Sequence, residues 1–112
     1  ASTKPEHQVR AILEHFDLLS EFTAVSGARS GPIGSLDGKA FVVDQALTRL
    51  EAAGADISRP VLIGDRHHDV EGGAEHGIPV IFAEWGFGLD AEAEGAIHRA
   101  CDAEELRSLI LD

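Results

Sequence analysis

VLIGDRHHDVEGG, residues Val61 to Gly73, runs an apolar segment into Gly64 and Asp65 and follows it with Arg66, two histidines and a second aspartate, Asp69. The apolar run reads as a strand, Pro60 to Ile63, of residues buried on both faces, and Asp65 to His76 reads as a helix. Small residues at Gly72, Gly73 and Ala74 would let that helix lie close against a sheet. A short apolar strand followed directly by a helix is the repeating unit of a parallel sheet covered on both faces, so this stretch sets the expected fold class as α/β.

The flanking sequence repeats the alternation. Downstream, Gly77 is placed to end the helix and Pro79 to Ala83 is the next strand. After a WGFG loop, an acidic segment around Asp90 to Glu94 leads to a last helix. There Asp102 and Glu105 have the spacing of a capping box before Leu106, Leu109 and Ile110. Upstream, T-K-P-E predicts a helix with Thr3 as N-cap, Pro5 in the first turn and Glu6 three residues after the cap. Its apolar face is Val9, Ile12, Leu13 and Phe16. Phe22 to Val25 reads as a short buried strand, and Ser26 to Gly38 as a surface loop of a length that is often functional. Lys39 opens a second helix with Val43, Leu47 and Leu50 on one face, and Gly54 is placed to stop it.

Composition bounds what such a chain does. Its 112 residues, 44% of them hydrophobic, suffice for one core and one domain. Twenty acidic against nine basic residues give a formal net charge of −11, which repels nucleic acid and anionic membranes alike. The single cysteine, Cys101, excludes an internal disulfide and a multi-cysteine metal site. It fits a reducing compartment, and with no apolar run near the roughly 20 residues of a membrane span the expected location is the cytoplasm.

In open α/β sheets ligands bind beyond the carboxyl ends of the strands, which selects the residues to weigh. Asp65 has two readings. It is a helix cap, with Asp69 one turn on pairing with Arg66 or solvent. Alternatively, the two carboxylates share one helical face and serve a hard divalent cation, and magnesium suits such oxygen ligands and commonly accompanies phosphate. Lys39, at a helix start after a glycine-rich loop, is a surface residue or a phosphate-holding cation. Ser2 and Thr3 offer hydroxyls to a phosphoryl oxygen, although Thr3 already has a capping role, which makes Ser2 the freer candidate. His67 and His68 are adjacent, so on a helix they diverge by about 100° and are not expected to face one ion. Arg66 is expected to pair with Asp69 rather than contact a substrate phosphate, Trp85 and Phe87 to anchor their loop on the core, and Cys101 to be a small core or surface residue with nothing near it that lowers its pKa.

Taken in order, S-T-K-P, a lysine at a helix start, and an apolar strand into G-D-R-x-x-D resemble the haloacid-dehalogenase-like (HAD) hydrolase superfamily, specifically its phosphoglycolate-phosphatase-like branch. The resemblance runs over STKPEH, SLDGKAFVV, VLIGDRHHDVEGGAEHGIP and the WGFG loop. It implies a HAD-like Rossmannoid parallel sheet and a Mg2+-dependent phosphomonoester hydrolase that works through an aspartyl-phosphate on a small phosphorylated metabolite. Ser2 then takes the place of the family's phosphoryl-binding hydroxyl, usually a threonine, with Thr3 beside it. Lys39 becomes the lysine that stabilises charge on the phosphoryl group and nucleophile. Asp65 becomes the magnesium ligand, and Asp69 the acidic partner that orients the metal's water shell or Lys39.

The family's nucleophile and general acid/base stand in a D-x-D motif on a first strand, and these 112 residues contain no such motif. The nearest candidate, SLDGK at Ser35 to Lys39, puts Ser35 where the nucleophile belongs, and no apolar strand leads into it. The chain is therefore expected to be the carboxyl-terminal part of a HAD-like core, inactive alone. A missing amino-terminal half or a second chain would complete the sheet. The alternative is a non-catalytic α/β module that binds a phosphate-bearing ligand or a partner protein.

Overall fold

The computed structural model describes residues 1–29 and 38–112, which form two compact units, Ala1–Arg59 and Pro60–Asp112. Ser35 to Asp37 of the SLDGK segment, and most of the expected Ser26–Gly38 loop, lie outside the described residues.

In the first unit, helix α1 spans Glu6–His15 and α2 spans Lys39–Ala52, with a short 3-10 turn at Leu19–Glu21. The expected Thr3 cap is not formed, because the N-cap of α1 is Pro5 and Thr3 is exposed. The reason is pairing with a distant segment. Ala28 donates to the Lys4 carbonyl at 2.9 Å and Glu6 donates to the Ala28 carbonyl at 3.0 Å, so Lys4 and Pro5 are held beside Ala28 and the helix starts after them. Proline also disfavours helical geometry in the residue before it.

The expected strand Phe22–Val25 is corrected as well. Phe22 is exposed and no strand forms there; the buried stretch is Val25, Ser26, Gly27 and Ala28, whose one bridge among the described residues joins Ala28 to Pro5. On the α1 face, Val9 and Leu13 are partly buried while Ile12 and Phe16 are exposed. On α2 the buried residues are Val42 and Val43.

Polar side chains tie this unit together. Ser26 Oγ is buried and donates to the Val42 carbonyl at 2.6 Å, while Gln45 Nε2 donates to Ser26 Oγ at 2.9 Å and to the Gly27 carbonyl at 3.2 Å. Arg49 donates to the Val25 carbonyl at 2.6 Å and pairs with Glu6. Backbone groups with no sheet partner are thus satisfied by α2 side chains, as burial requires.

In the second unit, β1 (Leu62–Gly64), β2 (Val80–Ala83) and β3 (His98–Ala100) form a parallel sheet in that order. Ile63 pairs with Ile81, and Ile81 with His98. Helix α3 (His67–Glu75) packs on β1 and β2, and α4 (Ala103–Leu111) on β3. A 3-10 turn, Asp90–Ala93, lies between β2 and β3. The fold class is α/β, as the alternation of apolar strands and helices predicted. β2 is buried throughout, and its Phe82, 1% exposed, contributes about 1.5–3 kcal/mol by leaving water.

Two expectations shift here. β1 is not buried on both faces, since Val61 and Ile63 are 38% and 39% exposed while Leu62 packs on the core of Val70, Val80, Phe82 and Ala93. Successive strand residues face opposite sides, and β1 is the edge strand among the described ones, so only the Leu62 side is covered. β3 was not foreseen, because His98-Arg99-Ala100 has no apolar run and only Ala100 is buried. Its pairing to β2 makes it a strand, and tertiary context of this kind is invisible to periodicity.

The helix boundaries follow local chemistry closely. α3 starts at His67, two residues later than expected, because Asp65 and Arg66 are held in a turn by Asp69. At its far end the Gly77 N–H bonds the Ala74 carbonyl at 3.1 Å and the Ile78 N–H bonds the Gly73 carbonyl at 2.8 Å. This Schellman closure needs the positive φ of 64° that glycine provides at Gly77. Gly54 ends α2 the same way. Gly73 is required for a different reason: a Cβ there would sit 2.4 Å from Val80 Cγ2, so α3 approaches the sheet as closely as its small residues allow.

Candidate functional site

In the first unit, Ser2 and Lys39 come together. The Lys39 ammonium donates to the Ala1 carbonyl at 3.0 Å, the peptide that leads into Ser2. Ser2 is fixed from both sides: its N–H donates to the Ser26 carbonyl at 2.9 Å and its Oγ accepts the Lys4 N–H at 3.1 Å. Lys39 is the first residue of α2, whose N-cap is Gly38 with an extended backbone and no side-chain cap, so this cation stands at the positive end of a helix. Thr3 is exposed and makes no cap.

In the second unit, Asp65 and Asp69 are linked through the backbone. Asp69 is 8% exposed and its Oδ2 accepts the N–H groups of Asp65 at 3.0 Å and Arg66 at 3.1 Å. That oxygen is committed to the turn. Asp65 follows the last residue of β1, at the carboxyl edge of the sheet, and its Oδ2 accepts the Phe87 N–H at 2.8 Å. Its Oδ1 remains as a hard oxygen donor, the kind a magnesium ion takes from one or two protein carboxylates while keeping most of its water. The donor set fits the ion through Asp65, and Asp69 fits the part of a residue that holds Asp65 in place.

Loop backbone, not side chains, closes on Asp65. A Cβ on Gly86 would lie 2.2 Å from Asp65 Cβ, so only glycine admits this approach. The consequence corrects the expected anchoring of the WGFG loop: Trp85 is 51% and Phe87 90% exposed, because the loop presents its main chain inward and its rings outward.

Glu92 organises the rest and was not singled out from the sequence. Its Oε1 accepts from Arg66 Nε at 2.9 Å and from the His67 N–H at 3.3 Å, and pairs with His67 Nδ1 at 2.8 Å; Oε2 accepts the Leu89 N–H at 2.7 Å. His67 above all, then the Leu89 N–H and Arg66, hold the Glu92 carboxyl well below the usual carboxylate range. The same partnership raises the pKa of Arg66. Arg66 therefore pairs mainly with Glu92, and Asp69, its expected partner, adds only a smaller electrostatic attraction. Twenty-six positions separate Arg66 from Glu92, and only a fold that returns the Asp90–Ala93 turn to the start of α3 joins them.

Cys101 behaves as expected. It is a free, exposed cysteine, and Glu105 beside it pushes the thiol up to about 11. The capping box at α4 is half formed: Asp102 Oδ1 accepts the Glu105 N–H at 2.8 Å, but Glu105 turns to the Cys101 N–H, also at 2.8 Å.

Residues 38–107 match the family model described as HAD-hydrolase-like. The chain is 34% identical over 98% of its length to a protein named tyrosine-protein kinase PtkA from Mycobacterium tuberculosis, of which it spans 38%. Over 69% of its length it is 32% identical to a phosphoglycolate phosphatase from Caulobacter vibrioides, of which it spans 30%. The crystal structure of a predicted phosphatase from Clostridium acetobutylicum superimposes with a TM-score of 0.83 at 32% identity, covering 97% of this chain and 49% of that one. The chain thus spans half or less of the length of these relatives. The matched region runs from the Gly38–Lys39 helix start through the Asp65 turn into α4, and on that basis the chain belongs to the HAD-hydrolase-like family.

Proposed function

We propose that this chain supplies the magnesium-binding and phosphoryl-holding part of a Mg2+-dependent phosphomonoester hydrolase that acts on a small phosphorylated metabolite. The observation that carries the reading is Asp65, a carboxylate fixed at the carboxyl edge of a parallel sheet by one backbone N–H, with one oxygen left to ligate. Lys39 and Ser2 are the groups that would hold the phosphoryl oxygens, Lys39 also offsetting charge that develops during transfer. Bound magnesium would lower the repulsion between an anionic substrate and an attacking carboxylate. The aspartate that attacks phosphorus is not among these 112 residues, so the complete site requires sequence or a chain outside them.

The test is hydrolysis of p-nitrophenyl phosphate by the full-length protein with Mg2+ and with excess chelator. Activity should depend on Mg2+, and Asp65→Asn should lower kcat/KM on the order of 100-fold or more. Full activity in the chelator, or in Asp65→Asn, overturns the reading. Absence of any turnover would favour a non-catalytic module that binds a phosphate ligand or a partner protein. The similarity to a protein named a tyrosine-protein kinase supports a second reading, transfer of phosphoryl to a tyrosine hydroxyl. The two part on where the phosphate ends, in solution or on a peptide.

A further inference from the structure

We propose that His67, His68 and Glu71, on the first turns of α3, form a binding site for a divalent transition-metal ion of the zinc class. One ligating atom from each side chain lies within 4.8 Å of the other two. A tetrahedral ion with ligands at about 2.0–2.2 Å holds its donor atoms roughly 3–4 Å apart, so small side-chain rotations close the set. Helical spacing accounts for two of the three approaches: Glu71 is four residues from His67 and three from His68, the distances that bring side chains onto one face.

The third approach, between adjacent histidines, is the unexpected one. Neighbours on a helix diverge, yet the two rings lie 3.9 Å apart between centroids, tilted by 41°. His67 stands at the first helical position and is held by Glu92, whose Oε1 pairs with His67 Nδ1 at 2.8 Å. A carboxylate on Nδ1 fixes the tautomer and leaves the Nε2 lone pair for a metal, the usual second partner of a metal-ligating histidine. The divergence expected from the sequence is therefore overcome by a contact from the Asp90–Ala93 turn.

Two imidazoles and one carboxylate suit zinc, nickel or copper, and suit magnesium poorly. The helix N-terminus carries partial positive charge, which opposes a cation. The Glu71 and Glu92 carboxylates beside the site, in a chain of net charge −11, offset it. His68 and Glu71 are exposed, so the ion has an open approach and would keep a position for water or another ligand.

The proposal is tested by calorimetric titration of Zn2+ into the chain, with excess Mg2+ present to occupy hard-oxygen sites. One Zn2+ should bind per chain. His68→Ala and Glu71→Gln, both at exposed positions, should each weaken binding roughly tenfold or more. His98→Ala, an exposed histidine on β3, and Asp65→Asn should leave it unchanged. Unchanged affinity in both His68→Ala and Glu71→Gln overturns the proposal, as does an equal loss in His98→Ala. Far-UV circular dichroism checks each variant, and if His68→Ala does not fold the result for Glu71→Gln decides.

Discussion

Asp69 reaches back to hold Asp65: a single carboxylate oxygen, Oδ2, accepts the backbone N–H of Asp65 at 3.0 Å and of Arg66 at 3.1 Å. The pair of aspartates in G-D-x-x-x-D is thus divided between one that bonds the Phe87 N–H and one that builds the turn. Hydrogen bonds to a charged acceptor contribute about 1.5–3 kcal/mol, and removing this one leaves two backbone donors without it. Asp69→Ala should lower the unfolding free energy by about that amount in urea titration. A variant as stable as the parent would show that the turn forms without the carboxylate.

Gly86→Ala probes the other side of Asp65. The added methyl would meet Asp65 Cβ at 2.2 Å, so the loop must retreat and its Phe87 N–H must leave Asp65 Oδ2. The expected result is faster hydrogen exchange at the Phe87 amide together with a stability loss of about 1–3 kcal/mol. Retained protection at Phe87 would mean that the loop is not held through Asp65.

Glu6 links stability to pH. Burial opposes its ionisation, but hydrogen bonds from Arg49 and the Gly27 N–H, the charge of Arg49 and the bond from Arg10 outweigh this, and its pKa falls below the ordinary 4.5. A depressed folded-state pKa stabilises the fold above the unfolded value and loses that contribution as pH falls through the folded value. Melting temperatures of the parent and Glu6→Gln should therefore differ most at neutral pH, and the gap should narrow once pH drops below 4.5. A gap independent of pH would assign Glu6 a role other than its charge.

Cys101 should resist alkylation. With the thiol pushed up to about 11 by Glu105, the reactive thiolate is scarce near neutral pH. Glu105→Gln removes the neighbouring charge and should speed reaction with iodoacetamide at a fixed, mildly alkaline pH. An unchanged rate would remove Glu105 as the cause.

Much of this was legible without coordinates because the signals are local. Gly54 and Gly77 close their helices with positive φ, and Asp102 caps α4, since each contact falls within a few residues of its cause. The small residue Gly73 packs on Val80 for the reason its size suggested. The expectations that failed involve long-range partners. Thr3 lost its cap to a pairing with Ala28, and Arg66 took Glu92 ahead of Asp69 as its main partner. Phe22–Val25 looked like a strand by composition, but the chain buries four residues from Val25 onward by means of Ser26, Gln45 and Arg49.

By itself the sequence determined the α/β class, the placement of Asp65 after a strand and of Lys39 at a helix start, and the family these motifs belong to. Those properties follow from periodicity, capping and motif spacing, which are encoded over short distances. Tertiary structure alone decided that Asp69 serves the turn, that loop backbone closes on Asp65 while Trp85 and Phe87 face outward, and that Glu92 gathers Arg66 and His67. Each is a contact across more than one element or a competition for one carboxylate. Such contests are settled by which groups the sheet order brings within hydrogen-bond reach, a quantity that no single segment carries.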